Sequence, residues 1–453
     1  MGLYIQMHSV HGLFRGHDLQ LGYDEDTGGQ IVYVLELAKA LGKLKGVDRV
    51  DILTRRIIDL KHPGYDEEIE KITNNVNIVR IECGPKKYIK KVKLWPYINE
   101  YVNNTKRFIK KLGRKPDILQ SNYADAGLIC ARLSRELDIV QVHTGHSLGI
   151  PKMKRLGVTK KNYDEFDREF HFTNRIKAEN IAIKNSFAIV GSTMQEIKGQ
   201  YKGYDINTSS EKFRTITPGL DLKKFHSIKD STGNKINDED YIMRIFENIL
   251  NQKFSDPKKR IISALTRLEK RKNINGLLEA FGKSSELQKK ANLLIFCPTV
   301  GAGSSAQKLV DELSATMRKY NLYGKAAFPL IQLDYDSEVP AYYRFLEKKR
   351  GVFVNPAFIE PFGLTILEAS VSSVPVAATK YGGPSEIIED NTNGILINPY
   401  NFRDMTSRLI MLLGNNRKYN AIARAARENV RANYTWTESA KKYLKVFKEA
   451  LEN

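Results

Sequence analysis

The stretch that decides the fold is residues 351–369, G-V-F-V-N-P-A-F-I-E-P-F-G-L-T-I-L-E-A. It opens with a short apolar run, residues 352–354, which predicts a buried parallel strand. Asn355 and Pro356 end that strand, and a helix is predicted over residues 365–369. A strand, a loop and a helix in this order are typical of a doubly wound α/β sheet.

Two carboxylates lie near the predicted helix start. We expect Pro361 in the first turn of the helix, where its missing N–H removes no hydrogen bond. Glu360 then lies on a loop at the carboxyl end of a strand, where open α/β sheets bind ligands, beside N–H groups that favour phosphate. Glu368 follows eight residues later. A carboxylate beside a phosphate site is expected if the ligand also carries sugar hydroxyls, so the pattern indicates a nucleotide sugar.

The composition is that of an ordinary soluble chain of two or three domains. It has 453 residues, of which 42% are hydrophobic and 27% charged. No apolar run reaches the length of a membrane span and no basic segment precedes the first apolar residues, so we expect neither an anchor nor a signal peptide. Three widely spaced cysteines, Cys83, Cys130 and Cys297, predict reduced core residues of a cytoplasmic protein.

The net charge of +20 has two interpretations. One is binding to nucleic acid or to a membrane surface. The other is a lysine-rich solvated surface with a pocket for anionic ligands. The lysines are scattered and no nucleic-acid motif is found, so we favour the second interpretation and expect no nucleic-acid or membrane partner. Polyanion binding is kept as the alternative.

The N-terminal half is predicted as a doubly wound sheet. A glycine-rich loop, residues 12–29, and a helix over residues 30–44 separate its first two strands, which makes a βαβ unit. The acidic run 24–26 in that loop is interpreted as solvated, and we expect one long charged helix over residues 163–185. The candidate strands of this half are residues 3–10, 49–53, 116–120, 139–142 and 187–191.

The second half is also predicted as a doubly wound sheet. Residues 217–221 are a turn-rich hinge candidate, and residues 226–256 are predicted as a polar insertion or linker. Residues 301–306 match a dinucleotide-binding pattern, but no acidic residue follows at the required distance, so we reject a dehydrogenase. The candidate strands are residues 260–265, 291–297, 326–329, 351–355, 374–378 and 394–397.

Polar side chains follow several predicted strands, at the sheet edge where ligands bind. The segments S-N-Y-A-D-A-G, residues 121–127, and H-T-G-H-S-L-G, residues 143–149, follow two strands of the first half. Arg267 and Lys272 follow the first strand of the second half, and two cations five residues apart suit a diphosphate. A solvated basic turn and structural histidines are the alternative interpretations.

In combination, these motifs resemble the sucrose-phosphate synthase family, which are retaining glycosyltransferases with the GT-B fold. The resemblance covers nearly the whole chain, and sucrose synthase shares several of the segments. The segments that carry it are H-G-L-F-R-G-H-D-L-Q-L-G-Y-D-E-D-T-G-G-Q (11–30), Y-A-D-A-G (123–127), T-G-H-S-L-G (144–149), T-R-L-E-K-R-K-N (266–273) and N-P-A-F-I-E-P-F-G-L-T (355–365).

The resemblance implies two Rossmann-like domains that face one interdomain cleft. The first, residues 1–220, would bind the acceptor, and the second, residues 221–430, would bind the nucleotide sugar. A C-terminal segment, residues 431–453, would form a helix that crosses back to the first domain.

The resemblance also assigns site residues. Four are implied in catalysis: Arg267 and Lys272 would hold the donor diphosphate and stabilise the leaving nucleotide, while Glu360 and His146 would contact the glucose. The implied donor-binding residues are Gly29 and Gln30, which would close over the reacting centre, Gly363, Leu364 and Thr365, which would offer main-chain groups, and Glu368, which would bind the ribose. The implied acceptor-binding residues are Asp125, for the sugars, and Lys152 and Arg175, for a phosphate.

The implied reaction moves glucose from UDP-glucose to fructose 6-phosphate, with retention, to give sucrose 6-phosphate. No metal or other cofactor is implied, and UDP-glucose is a substrate. Asn174-Arg175 stands where the family has two adjacent arginines, and Asn122 stands where a histidine is common. Transfer to free fructose or to another sugar phosphate therefore stays open. An ADP-sugar as donor also stays open, because no residue that would read the base is evident. A non-catalytic polyanion-binding protein is the alternative from another class.

Overall fold

The chain forms two compact units, each built on one sheet. The first unit consists of Met1–Gly219 together with Trp436–Asn453, and the second of Leu220–Thr435. The structure, a computed structural model, describes residues 2–19, 26–230, 237–298 and 306–452. The dinucleotide-binding pattern at residues 301–306, apart from Ala306, and the acidic pair 24–25 lie outside these ranges.

The sheet of the first unit has eight strands in the order β3-β4-β2-β1-β5-β6-β7-β8. All neighbouring pairs are parallel except β3 and β4, which are antiparallel. The five strands predicted in this half are confirmed, within a few residues at their ends. The strands are β1 (Leu3–His8), β2 (Val47–Arg55), β3 (Ile69–Lys71), β4 (Val76–Ile81), β5 (Ile118–Asn122), β6 (Val140–Thr144), β7 (Ala188–Gly191) and β8 (Phe213–Thr215).

Helices connect these strands and cover the sheet. The first helix buries Ile31, Val34, Leu35, Ala38 and Leu41, which recur at helical spacing and pack on the sheet. The helices of this part of the chain are α1 (Gly29–Gly42), α2 (Ile98–Leu112), α3 (Tyr123–Leu137), α4 (Gly149–Arg155), α5 (Tyr163–Phe170), α6 (Phe172–Asn185) and α7 (Met194–Gln200).

The sheet of the second unit has six strands, all parallel, in the order β11-β10-β9-β12-β13-β14. All six predicted strands are confirmed. Both units therefore have mostly parallel α/β sheets of the Rossmann type, as the sequence predicts. The strands are β9 (Arg260–Leu265), β10 (Ala291–Phe296), β11 (Ala326–Ala327), β12 (Val352–Asn355), β13 (Val376–Thr379) and β14 (Ile395–Ile397).

The second unit packs its helices on both faces of this sheet, in two apolar clusters. Its helices are α8 (Asn237–Lys253), α9 (Ile274–Lys283), α10 (Ser285–Lys290), α11 (Ala306–Lys319), α12 (Glu338–Lys348), α13 (Leu364–Val371), α14 (Pro384–Ile387), α15 (Phe402–Gly414) and α16 (Asn416–Asn433).

The last helix, α17 (Trp436–Glu452), belongs to the first unit. Ala440, Tyr443 and Phe447 on its buried face join the apolar core around α1. The Tyr443 hydroxyl also lies 2.8 Å from that of Tyr33 on α1.

The long helix predicted over residues 163–185 is wrong, because the chain forms α5 and α6 with a break between them. His171 adopts a left-handed backbone, with φ of 51°, and its N–H donates to the carbonyl oxygen of Asp167 at 2.8 Å. Such a residue ends a helix and turns the chain. Phe172 begins the second helix and is fully buried.

The prediction that residues 226–256 are a polar insertion or linker is also wrong. Most of this stretch is α8, which places Phe246 and Leu250 in the core of the second unit. Its apolar residues recur at helical spacing, but the many charges on the solvated face lower the average hydropathy and conceal the pattern.

The three cysteines are buried and unpaired, as predicted. Among the described residues, every helix is too short or too polar to span a bilayer.

Candidate active site

The loops that follow β9 and β12 meet at one edge of the second sheet. The two strands are parallel neighbours, with Val352 opposite Ile262, so their carboxyl ends lie side by side. Asn273 Nδ2 donates to the carbonyl oxygen of Pro356 at 3.0 Å, and the Phe358 N–H donates to the carbonyl oxygen of Arg271 at 3.0 Å. These bonds join the basic loop to the loop that carries Glu360.

Lys272 and Glu360 form an ion pair between these loops. The Lys272 Nζ atom lies 2.6 Å from Glu360 Oε2, and Asn355 Nδ2 donates to the same oxygen at 3.2 Å. The two side chains are only 16% and 10% exposed. An ammonium group has three donors, so Lys272 can hold Glu360 and donate to a diphosphate oxygen at the same time.

Arg267 lies on the same loop but does not join this pair. Its Nη2 atom contacts Glu269 Oε1 at 3.1 Å, and the other carboxylate oxygen accepts from Arg271 at 2.6 Å. The Arg267 side chain is 62% exposed, so its guanidinium is open to an anion from solvent.

Gly382, which the sequence interpretation missed, shapes the Glu360 loop. Its φ is 99°, and a Cβ atom there would lie 2.0 Å from the carbonyl oxygen of Glu360. The Gly383 N–H donates to that same oxygen at 2.8 Å, and the Glu360 N–H donates to the carbonyl oxygen of Tyr381 at 3.1 Å. The glycine pair followed by proline in Y-G-G-P, residues 381–384, is the signal that could have indicated this turn.

The helix after the loop is α13, and it begins at Leu364, one residue before the predicted range 365–369. Gly363 has φ of 100° and precedes the first helical residue, Leu364. The expectation that Pro361 lies in the first turn is therefore wrong, because the left-handed glycine redirects the chain after it. Within the described chain, the N–H groups of Leu364 and Thr365 donate to no acceptor. Such unpaired N–H groups at a helix start suit an oxyanion.

Glu368 lies on the same helix and is buried, with 3% exposure. Its Oε1 atom accepts from the Tyr335 hydroxyl at 3.1 Å and its Oε2 atom from the Tyr343 hydroxyl at 3.0 Å. Burial raises the pKa of Glu368 to about 7, although the two tyrosine hydrogen bonds oppose the shift. The carboxyl group is therefore held in a fixed orientation.

His146 follows β6 in the first unit. Its φ is 53°, and its ring stacks on that of Tyr123 with centroids 5.0 Å apart and meets that of Tyr33 edge-on at 5.1 Å. The Nε2 atom lies 2.8 Å from Asn122 Oδ1. Burial lowers the pKa of His146 to about 3, with a further contribution from nearby histidines, so the ring is neutral at pH 7.

Asp125 pairs with His11, a residue that the sequence interpretation did not single out. Asp125 Oδ2 lies 2.9 Å from His11 Nδ1, and both side chains are buried. Burial by itself raises the pKa of Asp125, but the charge and hydrogen bond of His11 outweigh it, so the pKa lies below its usual value. The Nε2 atom of His11 is buried without a hydrogen-bond partner in the part of the chain described.

One pocket of the first unit gathers the residues predicted to bind the acceptor. Three cations border it, and one of them, Lys91, was not predicted. Lys91 also pairs with Asp26 at 2.7 Å, and the Lys152 Nζ atom lies 4.2 Å from the centre of the Phe170 ring. The residues that line the pocket are His11, Lys91, Val92, Trp95, Tyr123, Ala124, Asp125, Lys152, Phe170 and Arg175.

Arg175 is buried and partly engaged within the protein. Its Nε atom donates to Glu179 Oε1 at 3.0 Å, and its Nη2 atom donates to the carbonyl oxygen of Ser147 at 2.6 Å. Asn174, which replaces a family arginine, is exposed and lines a separate pocket with Lys177. Asn174 is therefore not among the residues that line the Arg175 pocket.

Gly29 and Gln30 form the first turn of α1. A Cβ atom on Gly29 would meet nothing within 4 Å, and the Gln30 side chain donates to the carbonyl oxygen of Asp26. Asp26 is buried, so the interpretation of the acidic run as solvated is wrong for this residue. In the described ranges, no three His, Cys, Asp or Glu side chains form a group that could hold a metal ion.

Family models match both halves of the chain. The model described as the first GT-B domain of sucrose synthase matches residues 3–235, more than half of the sequence. The chain belongs to the sucrose synthase GT-B family. A model described as glycosyl transferases group 1 matches residues 245–429. The predictions of a GT-B fold and of a glycosyltransferase are confirmed.

Relatives of this GT-B glycosyltransferase are named sucrose-phosphate synthases. The Vicia faba protein named "Probable sucrose-phosphate synthase" is 34% identical over 513 residues, which cover 98% of this chain and 47% of the relative. The sucrose-phosphate synthase of Spinacia oleracea is 34% identical over 510 residues, with the same two coverages. The chain thus spans about half the length of the curated relatives it matches.

A solved structure of a sucrose-phosphate synthase from Thermosynechococcus elongatus has the same fold. Its TM-score to this GT-B chain is 0.70 at 22% sequence identity, and the match covers 99% of both chains.

Proposed function

We propose that this protein is a retaining glucosyltransferase that moves glucose from UDP-glucose to fructose 6-phosphate and forms sucrose 6-phosphate. The observation that carries the proposal is the pocket in the first unit. It places Lys91, Lys152 and Arg175 beside Asp125 and His11. Three cations suit a phosphate dianion, and a carboxylate with a histidine suits sugar hydroxyls, so the pocket fits a sugar phosphate.

In the proposed reaction, the donor binds to the second unit. The bond between the glucose anomeric carbon and the diphosphate breaks, and a bond to the acceptor oxygen forms on the same face of the sugar. The acceptor proton moves to the leaving diphosphate. Arg267 and Lys272 stabilise the negative charge that develops there, and Glu360, fixed by Lys272 and Asn355, contacts the glucose.

The proposal includes no bound metal, because Arg267 and Lys272 supply the positive charge at the diphosphate. We expect turnover to be the same in excess EDTA as in untreated protein. A loss of activity that Mg²⁺ or Mn²⁺ restores would contradict this part of the proposal.

Donor and acceptor profiling tests the reaction directly. The protein is incubated with UDP-glucose or ADP-glucose and with fructose 6-phosphate, fructose or glucose 6-phosphate. Nucleotide release and product mass are measured for each pair. We expect the highest kcat/KM with UDP-glucose and fructose 6-phosphate, and a product whose glucosyl anomer matches that of the donor.

The acceptor phosphate is tested with Lys152→Gln and the matched control Lys154→Gln, an exposed lysine on the same helix. Loss of a charge-assisted hydrogen bond costs about 1.5–3 kcal/mol, so the KM for fructose 6-phosphate should rise by about tenfold or more. The KM for UDP-glucose should change little in either variant. Equal KM values for fructose 6-phosphate in both variants would remove Lys152 from the phosphate site.

Transfer to free fructose is the second candidate, favoured by the match to the sucrose synthase domain model. A kcat/KM for free fructose well above that for fructose 6-phosphate would establish it. Non-catalytic binding of a polyanion is the alternative from another class, motivated by the net charge of +20. Tight, salt-resistant binding of heparin together with no nucleotide release from any pair would favour that alternative.

A further inference from the structure

A chain of buried and partly buried hydrogen bonds leads from His146 to the C-terminal helix α17. Asn122 Oδ1 lies 2.8 Å from His146 Nε2, and Asn122 Nδ2 donates to Gln120 Oε1 at 2.7 Å. Gln120 Nε2 donates to Thr144 Oγ1 at 3.1 Å, and that hydroxyl lies 3.0 Å from the hydroxyl of Tyr443. Gln120, Asn122 and Tyr443 have no exposed surface, so the bonds from Asn122 to Tyr443 do not compete with solvent.

Backbone carbonyl groups fix the orientation of both amide side chains. Asn122 Nδ2 lies 3.2 Å from the carbonyl oxygen of His8, which can only accept a hydrogen bond. The Asn122 group that faces it must therefore be the NH₂, because the reversed amide would place two oxygen atoms against each other. Gln120 Nε2 is oriented in the same way by the carbonyl oxygen of Ser121 at 3.4 Å.

The orientation of Asn122 fixes the tautomer of His146. Because Asn122 presents its oxygen, Nε2 of His146 must carry the hydrogen. The neutral ring then has its lone pair on Nδ1. The titratable groups that surround the ring are Tyr33, Tyr123, His11 and His143.

We propose that Asn122 is a positioning residue that holds His146 in its Nε2–H form, so that Nδ1 accepts a hydrogen bond from a hydroxyl group of the transferred sugar. This rests on the proposed function, in which His146 contacts the glucose. In the other tautomer, Nδ1 would carry the hydrogen and would donate it to a sugar oxygen that acts as an acceptor.

Tyr443 is the outer end of this chain of bonds and supports the His146 ring by two routes. One route runs through Thr144, Gln120 and Asn122. The other runs through Tyr33, whose hydroxyl lies 2.8 Å from that of Tyr443 and whose ring meets His146 edge-on. Helix α17 therefore contributes to the positioning of a residue at the carboxyl end of β6, far from it in the sequence.

The tautomer is measured by long-range ¹H–¹⁵N correlation on histidine-labelled protein. The chain has eight histidines. The signal that disappears from the spectrum of the His146→Gln variant is assigned to His146. We expect a protonated Nε2 and a bare Nδ1 throughout the range from neutral to mildly acidic pH. A protonated Nδ1 in the wild type would overturn the proposal, and so would a charged ring at pH 7.

Variants test the chain of bonds, and thermal melting confirms that each one folds. Asn122→Leu should give a mixture of the two tautomers and lower kcat/KM by about tenfold or more. Tyr443→Phe should lower kcat/KM by a smaller factor with the tautomer retained. The matched control is Tyr101→Phe, which removes a buried hydroxyl that has no hydrogen-bond partner among the described residues and should leave both measurements unchanged.

If Asn122→Leu fails to fold, Asn122→Asp provides the second test. A carboxylate next to Nε2 favours the charged ring, so His146 should become charged at a higher pH than in the wild type. An unchanged titration would contradict the contact. The spectra are recorded without substrate, so they report the tautomer of His146 even if the protein transfers no glucose. If the enzyme is active but Nδ1 of His146 carries the hydrogen, only this inference is refuted and the proposed function stands.

Discussion

Lys272 and Glu360 show how single residues with separate predicted roles act as one pair. The family resemblance implies that one binds the diphosphate and the other contacts the glucose, and the structure joins them at 2.6 Å. Asn355 is a third member of this buried group, because its Nδ2 atom donates to the same Glu360 oxygen. Each of the two residues therefore fixes the position of the other before the substrate arrives.

Removing the cation should therefore affect turnover strongly. For Lys272→Ala we expect a loss of about a hundredfold or more in kcat, since one stabilising donor is lost and Glu360 is no longer held. The matched control is Lys270→Ala, an exposed lysine of the same short 3₁₀ turn, which should retain normal turnover. Steady-state kinetics decides the point, and near-normal kcat in Lys272→Ala would exclude this residue from the mechanism.

Glu368 gives a prediction for the dependence of stability on pH. Its pKa is raised by burial from 4.5 to about 7, so the native protein binds this proton up to a higher pH than the unfolded chain. The free energy of unfolding should therefore fall as pH rises through this window, by about 1.4 kcal/mol per pH unit from this group. Glu368→Gln cannot ionise and should not show this loss.

The measurement is urea unfolding, followed by circular dichroism, at pH 5, 6, 7 and 8. The difference between Glu368→Gln and wild type should shift in favour of the variant between pH 5 and 7. Glu312→Gln, on an exposed position of α11, is the control and should parallel the wild type. A constant difference for Glu368→Gln at every pH would show that the carboxyl is ionised throughout.

At the scale of elements, α8 and α13 differ from the sequence-based predictions in their burial and in their first turn. Helix α8 has a charged solvated face, yet Phe246 and Leu250 pack into the core of the second unit. Helix α13 begins only after a left-handed glycine, Gly363, and the N–H groups of Leu364 and Thr365 have no acceptor in the described chain. In α8 the surrounding core decides which side chains are buried, and in α13 the preceding loop decides which N–H groups lack an acceptor.

If α8 is part of the core, truncating its buried face should destabilise the second unit. Phe246→Ala is expected to lower the free energy of unfolding by about 3–5 kcal/mol, the usual cost of removing a buried phenyl ring. Asn248→Ala, exposed on the same helix, should change it by less than about 0.5 kcal/mol. Urea unfolding compares the two, and equal midpoints would support the linker interpretation that the structure rejects.

At the scale of the whole molecule, the chain leaves the first unit at Gly219 and returns to it at Trp436. Helix α17 then completes an apolar core whose other members come from the first half of the sequence. The stability of the first unit therefore depends on the last residues of the chain, with a complete second unit in between.

Deleting residues 436–453 should therefore destabilise the first unit and leave the second folded. Hydrogen exchange followed by mass spectrometry should show lost protection in α1 and retained protection in β9 and β12. Lys445→Ala, exposed on α17, is the control and should keep protection in both units. Loss of protection confined to residues 220–435 would contradict the assignment of α17.

The sequence by itself determined the elements whose signals are local. Apolar runs of strand length and glycine-rich turns predicted eleven strands, and the motif at residues 351–369 indicated both carboxylates and the helix start. Such features depend on residues near each other in the chain, because side-chain periodicity and turn chemistry act over a few residues.

Only the tertiary structure decided which distant residues meet. His11 and Lys91 reach the Asp125 pocket from other segments, Gly382 limits the Glu360 loop from the next strand, and Tyr443 reaches the bonds that orient His146. These contacts join residues from separate strands and helices, so no local pattern encodes them. They follow from the parallel order of the strands, which brings loops far apart in sequence to one edge of each sheet.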